Sequence, residues 1–197
     1  MNKQTIIDYL NGKHNEDEVI SLLKEQRKAL ASPKDTILDL NEEYFPIVLK
    51  LIRNSPNKVK YHAIILVSNI GFCMKAKLFQ EICKIALENI KDTDGNIRHA
   101  CFILIKNLNA LMKVLPIINS IKKTSDKDIN IFYESFKGLF YGLCHLIDDE
   151  KDEAIIKSIL KSINIMLPKI YDMAEFWNDK DEMSMVIRIK DEISKVL

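Results

Sequence analysis

The stretch "RNSPNKVKYHAIILVSNIG" (residues 53–71) sets a short polar turn containing Pro56 directly before a run with too many apolar residues for one helix face. Three- and four-residue steps from Val59 reach Ala63, Leu66, Val67 and Ile70, which places those five on one helical stripe. Further apolar residues in the run fall outside that stripe. A helix that is apolar nearly all round must be covered by neighbours on several sides.

The design recurs along the chain. "FPIVLKLIRNSPNKVKYHAIILVSNIG" (45–71), "CKIALENIKDTDGNIRHACFILIKNL" (83–108) and "LPIINSIKKTSDKDINIFYESFKGLF" (115–140) each read as a helix, a polar turn and a second helix. Anchored at Val59, Ile97 and Ile129, the three align: fourteen residues upstream stand Phe45, Cys83 and Leu115, and twelve upstream Ile47, Ile85 and Ile117. Pro46 and Pro116 fall near the start of the first helix, where a missing N–H costs little. The anchors are 38 and 32 residues apart, and the difference fits a longer connection around "FCMKAK" (72–77).

A hairpin of about forty residues, with an acidic or Asn-bearing turn followed by an apolar-basic pair, resembles the HEAT repeat. "DTDGNIRHACFILIKNL" carries the resemblance most fully. Asp92, six residues before Arg98, matches the Asp and Arg positions at which the family pairs side chains within and between turns. The first repeat has Asn54 and Lys60 there and the third Thr124 and Asn130, which should weaken the ladder. The resemblance implies an all-α fold, a right-handed α-solenoid of stacked antiparallel helical hairpins (HEAT/ARM-like), with about ten helices. Residues 1–197 are then a single repeat domain: an N-terminal helical cap over 1–40, three hairpins over 44–147, and a degenerate repeat with its cap over 151–197. A helix over 3–11 closes at Gly12, Asn15 and Glu18 form a capping-box pattern for the next, and Pro33 lies beyond its end. Pro168 is expected to kink or split the helix that contains it.

Composition agrees with this reading. The 197 residues include only 5 Gly and 5 Pro, too few for the turns of a many-stranded sheet, and 47% are hydrophobic. Lys plus Arg (29) nearly balance Asp plus Glu (28), so no global field draws nucleic acid or an anionic membrane. Lys, Asn or Glu breaks each apolar run, so a soluble cytoplasmic protein is expected. Cys73, Cys83, Cys101 and Cys144 stand apart without a Cys-x-x-Cys pair, which predicts reduced thiols.

Catalytic and metal constellations are not apparent. His14, His62, His99 and His145 lack His-x-x-x-His or Glu-x-x-His spacing, and the adjacent Cys144 and His145 point about 100° apart on a helix. Gly12, Gly71, Gly95, Gly138 and Gly142 form no phosphate loop, and the last two, four apart, predict close helix packing. "IDDEKDE" (147–153) and "NDKDE" (178–182) should help start the helices that follow, and Trp177 with Phe176 should pack under the C-terminal cap.

No catalytic, cofactor-binding or metal residue is therefore assigned. The expected function is a non-catalytic scaffold or adaptor that binds another protein along the concave face. Two residues beyond each anchor, and nine beyond it, a side chain falls on the side opposite the apolar stripe. That picks Tyr61 and Ser68 in the first repeat and His99 and Lys106 in the second as a partner-binding strip, with Asp92 and Arg98 as a structural turn pair. Two competing readings share the repeat pattern: a nucleic-acid-binding enzyme resembling HEAT-like DNA glycosylases, and a helper resembling HEAT-like bilin lyases.

Overall fold

The computed structural model describes residues 3–13, 15–31, 45–69, 75–122 and 125–196. His14, Pro33, Gly71, Cys73 and Thr124 lie outside the described residues. Among the described residues there are nine α-helices and no strand: α1 (Lys3–Leu10), α2 (Glu16–Ala31), α3 (Phe45–Asn54), α4 (Asn57–Ser68), α5 (Ala76–Asn89), α6 (Gly95–Lys122), α7 (Asp126–Asp148), α8 (Glu153–Phe176) and α9 (Lys180–Ile193).

The helix boundaries follow local chemistry. Gly12, at φ +76°, ends the segment after α1 in a conformation that side chains disfavour. Asn15 accepts the Glu18 N–H at 3.0 Å and caps α2. Asp152 accepts from Ala154 and Ile155 to start α8, and Asp179 accepts from Glu182 to start α9. Both acidic stretches thus begin the helix that follows them.

The helices form two layers. α2, α4, α6 and α8 stack side by side in chain order, each against the next. α1, α3, α5 and α7 lie behind them, and α5 packs extensively on α7. α9 closes the far end against α8. This is a stack of helical hairpins, and it explains the opening stretch. α4 is flanked by α2 and α6 and backed by α3, and every residue from Ala63 to Ser68 is buried.

Val59 and Ile97 are fully buried at matching places in α4 and α6, but the third hairpin does not form as expected. No turn separates residues 108 and 115. α6 runs on through Pro116 to Lys122, because Ile97, Cys101, Leu104, Leu108, Leu111 and Leu115 keep one unbroken three-four apolar stripe, all buried. An interior proline removes one N–H donor, and the stripe outweighs it. α7 is consequently the first helix of the next hairpin, paired with α8 and stacked on α5, and Ile129 is a half-buried residue of that layer. The position matching Val59 and Ile97 falls to Ile155, the first buried residue of α8. Pro168 likewise lies inside α8, which is not split by it.

α6 over Gly95–Ile117 is long and apolar enough to cross a membrane by length and composition alone, and half of that stretch is buried within the protein. It is a central helix of the stack, wedged between α4 and α8.

Close packing of α7 on α5 within the rear layer uses one glycine. A Cβ on Gly142 would lie 2.8 Å from both methyl carbons of Leu87 on α5, whereas one on Gly138 would meet nothing within 4 Å.

Candidate interaction surface

The turn before α6 ties two hairpins together. Lys60 Nζ of α4 donates to Asp92 Oδ2 at 2.9 Å, and Asn57 Nδ2 donates to Asp94 Oδ2 at 2.9 Å. Asp92 Oδ1 accepts the Asp94 N–H at 2.9 Å, and Asp94 Oδ1 accepts the Asn96 N–H at 2.8 Å. Those bonds, first from the Asn96 backbone and then from Asn57, hold the Asp94 carboxyl below its ordinary range. Asp92 and Arg98 meet, but not as an ion pair: Arg98 donates to the carbonyl oxygens of Asp92 (2.8 Å) and Thr93 (2.9 Å). A guanidinium beginning a helix satisfies carbonyls left bare by the turn. The carboxylate is thereby free to take Lys60, so the Lys in the first repeat extends the ladder where it was expected to weaken it.

The outward side of the second-helix layer carries the strip picked from the sequence, with one exception. Tyr61 is half-buried, and His99 and Lys106 are exposed. Ser68 is buried: its hydroxyl donates to the Ile65 carbonyl at 2.8 Å, and Asn107 of α6 donates to the Ser68 carbonyl at 2.8 Å. Because Ile64 and Ile65 are buried as well, the outward face of α4 is open only around its first turns.

The strip gains members that the sequence alignment missed. With Ile155 at the anchor position of α8, the residue two beyond it is Lys157 and the residue nine beyond is Asn164, both exposed. Tyr61, His99 and Lys157 then mark one row across three successive helices. Lys161 lies one turn beyond Lys157 on the same exposed side. The signal was present as an acidic cap followed by an apolar pair, "KDEAII" (151–156), but the spacing from Ile97 is far longer than a forty-residue repeat.

Beside this row, Lys24 of α2, Asn57, Tyr61 and His62 of α4 and Asp94 before α6 line a shallow depression of about 520 Å³. Burial first, and then Lys24 and Arg27, lower the pKa of His62, so its imidazole stays neutral at physiological pH.

A second exposed feature lies at the other end of α8. Phe176 and Trp177 are 78% and 55% exposed and stack edge to face, rather than packing under the C-terminal helix. Trp177 is the C-cap of α8, and α9 leaves in another direction after Asn178, whose φ is 55°. With Leu115, Tyr133 and Met173 they line an apolar groove of about 700 Å³.

Reactive chemistry is sparse. Burial raises the thiol pKa of Cys83 and Cys101, and that of Cys144 to about 11, so these thiols are protonated and poor nucleophiles. His145 is exposed, with Nδ1 4.0 Å from Asp148 Oδ2. Among the described residues no three His, Cys, Asp or Glu side chains gather as a metal site would require.

No protein-family profile matches the chain, and no curated protein matches it. A solved structure, the crystal structure of MAST/Orbit N-terminal domain, matches over 92% of this chain and 93% of that one, at 10% sequence identity and a TM-score of 0.46.

Proposed function

We propose that this protein is a non-catalytic interaction module that binds another protein on the outward side of its second-helix layer. One observation carries the reading: Tyr61, His99, Lys106, Lys157 and Lys161 stand on one side of three stacked helices, polar tips over a rigid apolar base. The backbone that carries these side chains is already fixed by helix packing, so binding need not order it, which favours recognition by a preformed surface. The reduced, protonated thiols suit a cytoplasmic setting, and that placement belongs to the same proposal.

The test is retrieval of a partner by the purified protein, followed by binding of that purified partner to the wild type and to a Tyr61→Ala, His99→Glu double variant. Helicity should be unchanged and melting lowered only modestly, because His99 is exposed and Tyr61 packs partly against the core, while binding should fall. Undiminished binding by a folded double variant would place the contact surface elsewhere, and turnover of a substrate at an ordinary enzymatic rate would reject the reading outright.

A further inference from the structure

Charge is distributed unequally between the two helix layers. In the first-helix layer several cations are matched and acids stand among them: Lys84 lies 2.7 Å from Glu81, Arg53 3.7 Å from Glu88, and Lys137 2.9 Å from Glu182, while Lys50, Lys77 and Lys127 are exposed without an ion pair among the described residues. Three of the four second-layer helices differ; α2, with Glu16, Asp17, Glu18 and Glu25, does not. Residues 57–69, 95–122 and 154–171, which span α4, α6 and most of α8, contain no Asp or Glu. Lys106, Lys113, Lys157 and Lys161 are exposed there, and among the described residues none of the four forms an ion pair. The chain as a whole has a formal charge of only +1, so this face is cationic at the expense of the rest.

From this we infer that the partner surface recognised here is an acidic protein segment with apolar residues between its carboxylates, laid across α6 and α8. The inference rests on the scaffold reading above and adds the chemistry of the partner. Half-buried Phe102, Ile103, Val114 and Ile165 lie between and beside the lysines, so cations alternate with apolar ground. Neighbouring helices sit about 8 to 10 Å apart, and an extended chain advances about 3.3 Å per residue. Roughly three residues carry a segment from one helix to the next, which suits carboxylates spaced two to four residues apart with apolar side chains between.

A nucleic acid fits less well. Phosphate recognition favours the guanidinium fork, and the one Arg of α6 already donates to the Asp92 and Thr93 carbonyls. The ground between the lysines is aliphatic or half-buried, whereas strand binding calls for a dense cationic track with open aromatic platforms.

The experiment uses the full chain and a fluorescein-labelled peptide in which Glu alternates with Leu and Gly, measured by anisotropy at low and raised salt. The comparison probes are polyglutamate, a DNA duplex, single-stranded RNA and phosphatidylserine vesicles. Expected are binding of the mixed peptide at low salt, weaker binding of polyglutamate, and a loss of about tenfold in a Lys106→Glu, Lys161→Glu variant. The control Lys77→Glu, Lys84→Glu, which makes the same charge change on α5, should bind as the wild type does. Should the first variant fold poorly, Lys106→Gln with Lys161→Gln should show a smaller loss in the same direction.

The inference is overturned if the mixed peptide fails to bind at low salt, if the α5 control loses as much, or if nucleic acid or vesicles bind more tightly than the peptide. Loss of a natural partner in the Tyr61→Ala, His99→Glu variant alongside no peptide binding would leave the scaffold reading standing and remove only the acidic chemistry.

Discussion

The junction between α4 and α6 and the junction between α7 and α9 solve the same problem in different ways. Each must hold successive helices in register. At the first, a polar turn does it with short-range bonds: Lys60 and Asn57 reach Asp92 and Asp94, and Arg98 closes on two carbonyls. At the second, Glu182 is buried at the start of α9 and receives both Lys137 Nζ and the Tyr141 hydroxyl from α7. Burial, then the bond to Glu182, raises the Tyr141 pKa and keeps its hydroxyl a donor. The first junction spreads its bonds over several short-range partners, with the Asn57–Asp94 contact exposed, and should be cheaper to alter. The second is enclosed, and removing one member strands the others.

The largest expected effect therefore lies at the second junction. Glu182→Ala leaves a partly buried hydroxyl and a partly buried ammonium without their acceptor and should cost about 1 to 3 kcal/mol in chemical denaturation. A cost near zero would make the two junctions equivalent. Next comes the α5–α7 contact, where two glycines on one helix should respond with opposite signs. Gly138→Ala meets open space and should stabilise by about 0.4 to 1 kcal/mol. Gly142→Ala must displace Leu87, and the strain of about 1 to 3 kcal/mol should outweigh the gain in helix propensity. Equal shifts for the two variants would mean that Leu87 yields freely.

Smaller still is Asp92→Asn, which removes the Lys60 ion pair between side chains 18% and 17% exposed. It should lower stability by about 0 to 1 kcal/mol, less at raised salt, and leave partner binding unchanged. Lost binding at unchanged stability would make the turn part of the recognition surface. The least effect is a pH dependence at His62, whose folded pKa is depressed below 6.5. The unfolded chain then takes up the proton first, so the contribution is present above that value and is lost as pH falls through and below it. His62→Gln should flatten the decline of the melting temperature below pH 6.5, and an identical slope in both proteins would dissociate His62 from it.

Legibility in the sequence tracks the same contrast. The turn before α6 could be read because its partners are close in sequence or at matching repeat positions, and the caps at Asn15, Asp152 and Asp179 lie within three residues of the N–H groups they bind. The stacked hairpins could be read because α4 is apolar on faces that a lone helix would leave wet. The third hairpin is not legible, because Pro116 signals a boundary by local rule while the apolar stripe through Leu108, Leu111 and Leu115 runs past it. With a boundary at Pro116, α7 stands where α8 belongs, so Ile129 occupies the anchor place of Ile155 and the cationic side chains of α8 fall outside the strip. Helical angle alone places Ser68 on the surface and cannot reveal that its helix is covered on that side. The Glu182 network joins residues 45 and 41 positions apart, and nothing periodic announces it. The exposure of Trp177 depends on the direction in which α9 departs, a tertiary fact.

The central claim is that the partner rests on the second-helix layer, and site-specific photocrosslinking tests it most directly. A photoreactive residue is placed singly at Lys106 or Lys161 on that layer, or at Lys84 or Glu134 on the other, and each protein is irradiated with the purified partner. The account predicts adducts from positions 106 and 161 and none above background from 84 and 134. Adducts from 84 and 134 with none from 106 and 161 would contradict it and move the interface to α5 and α7.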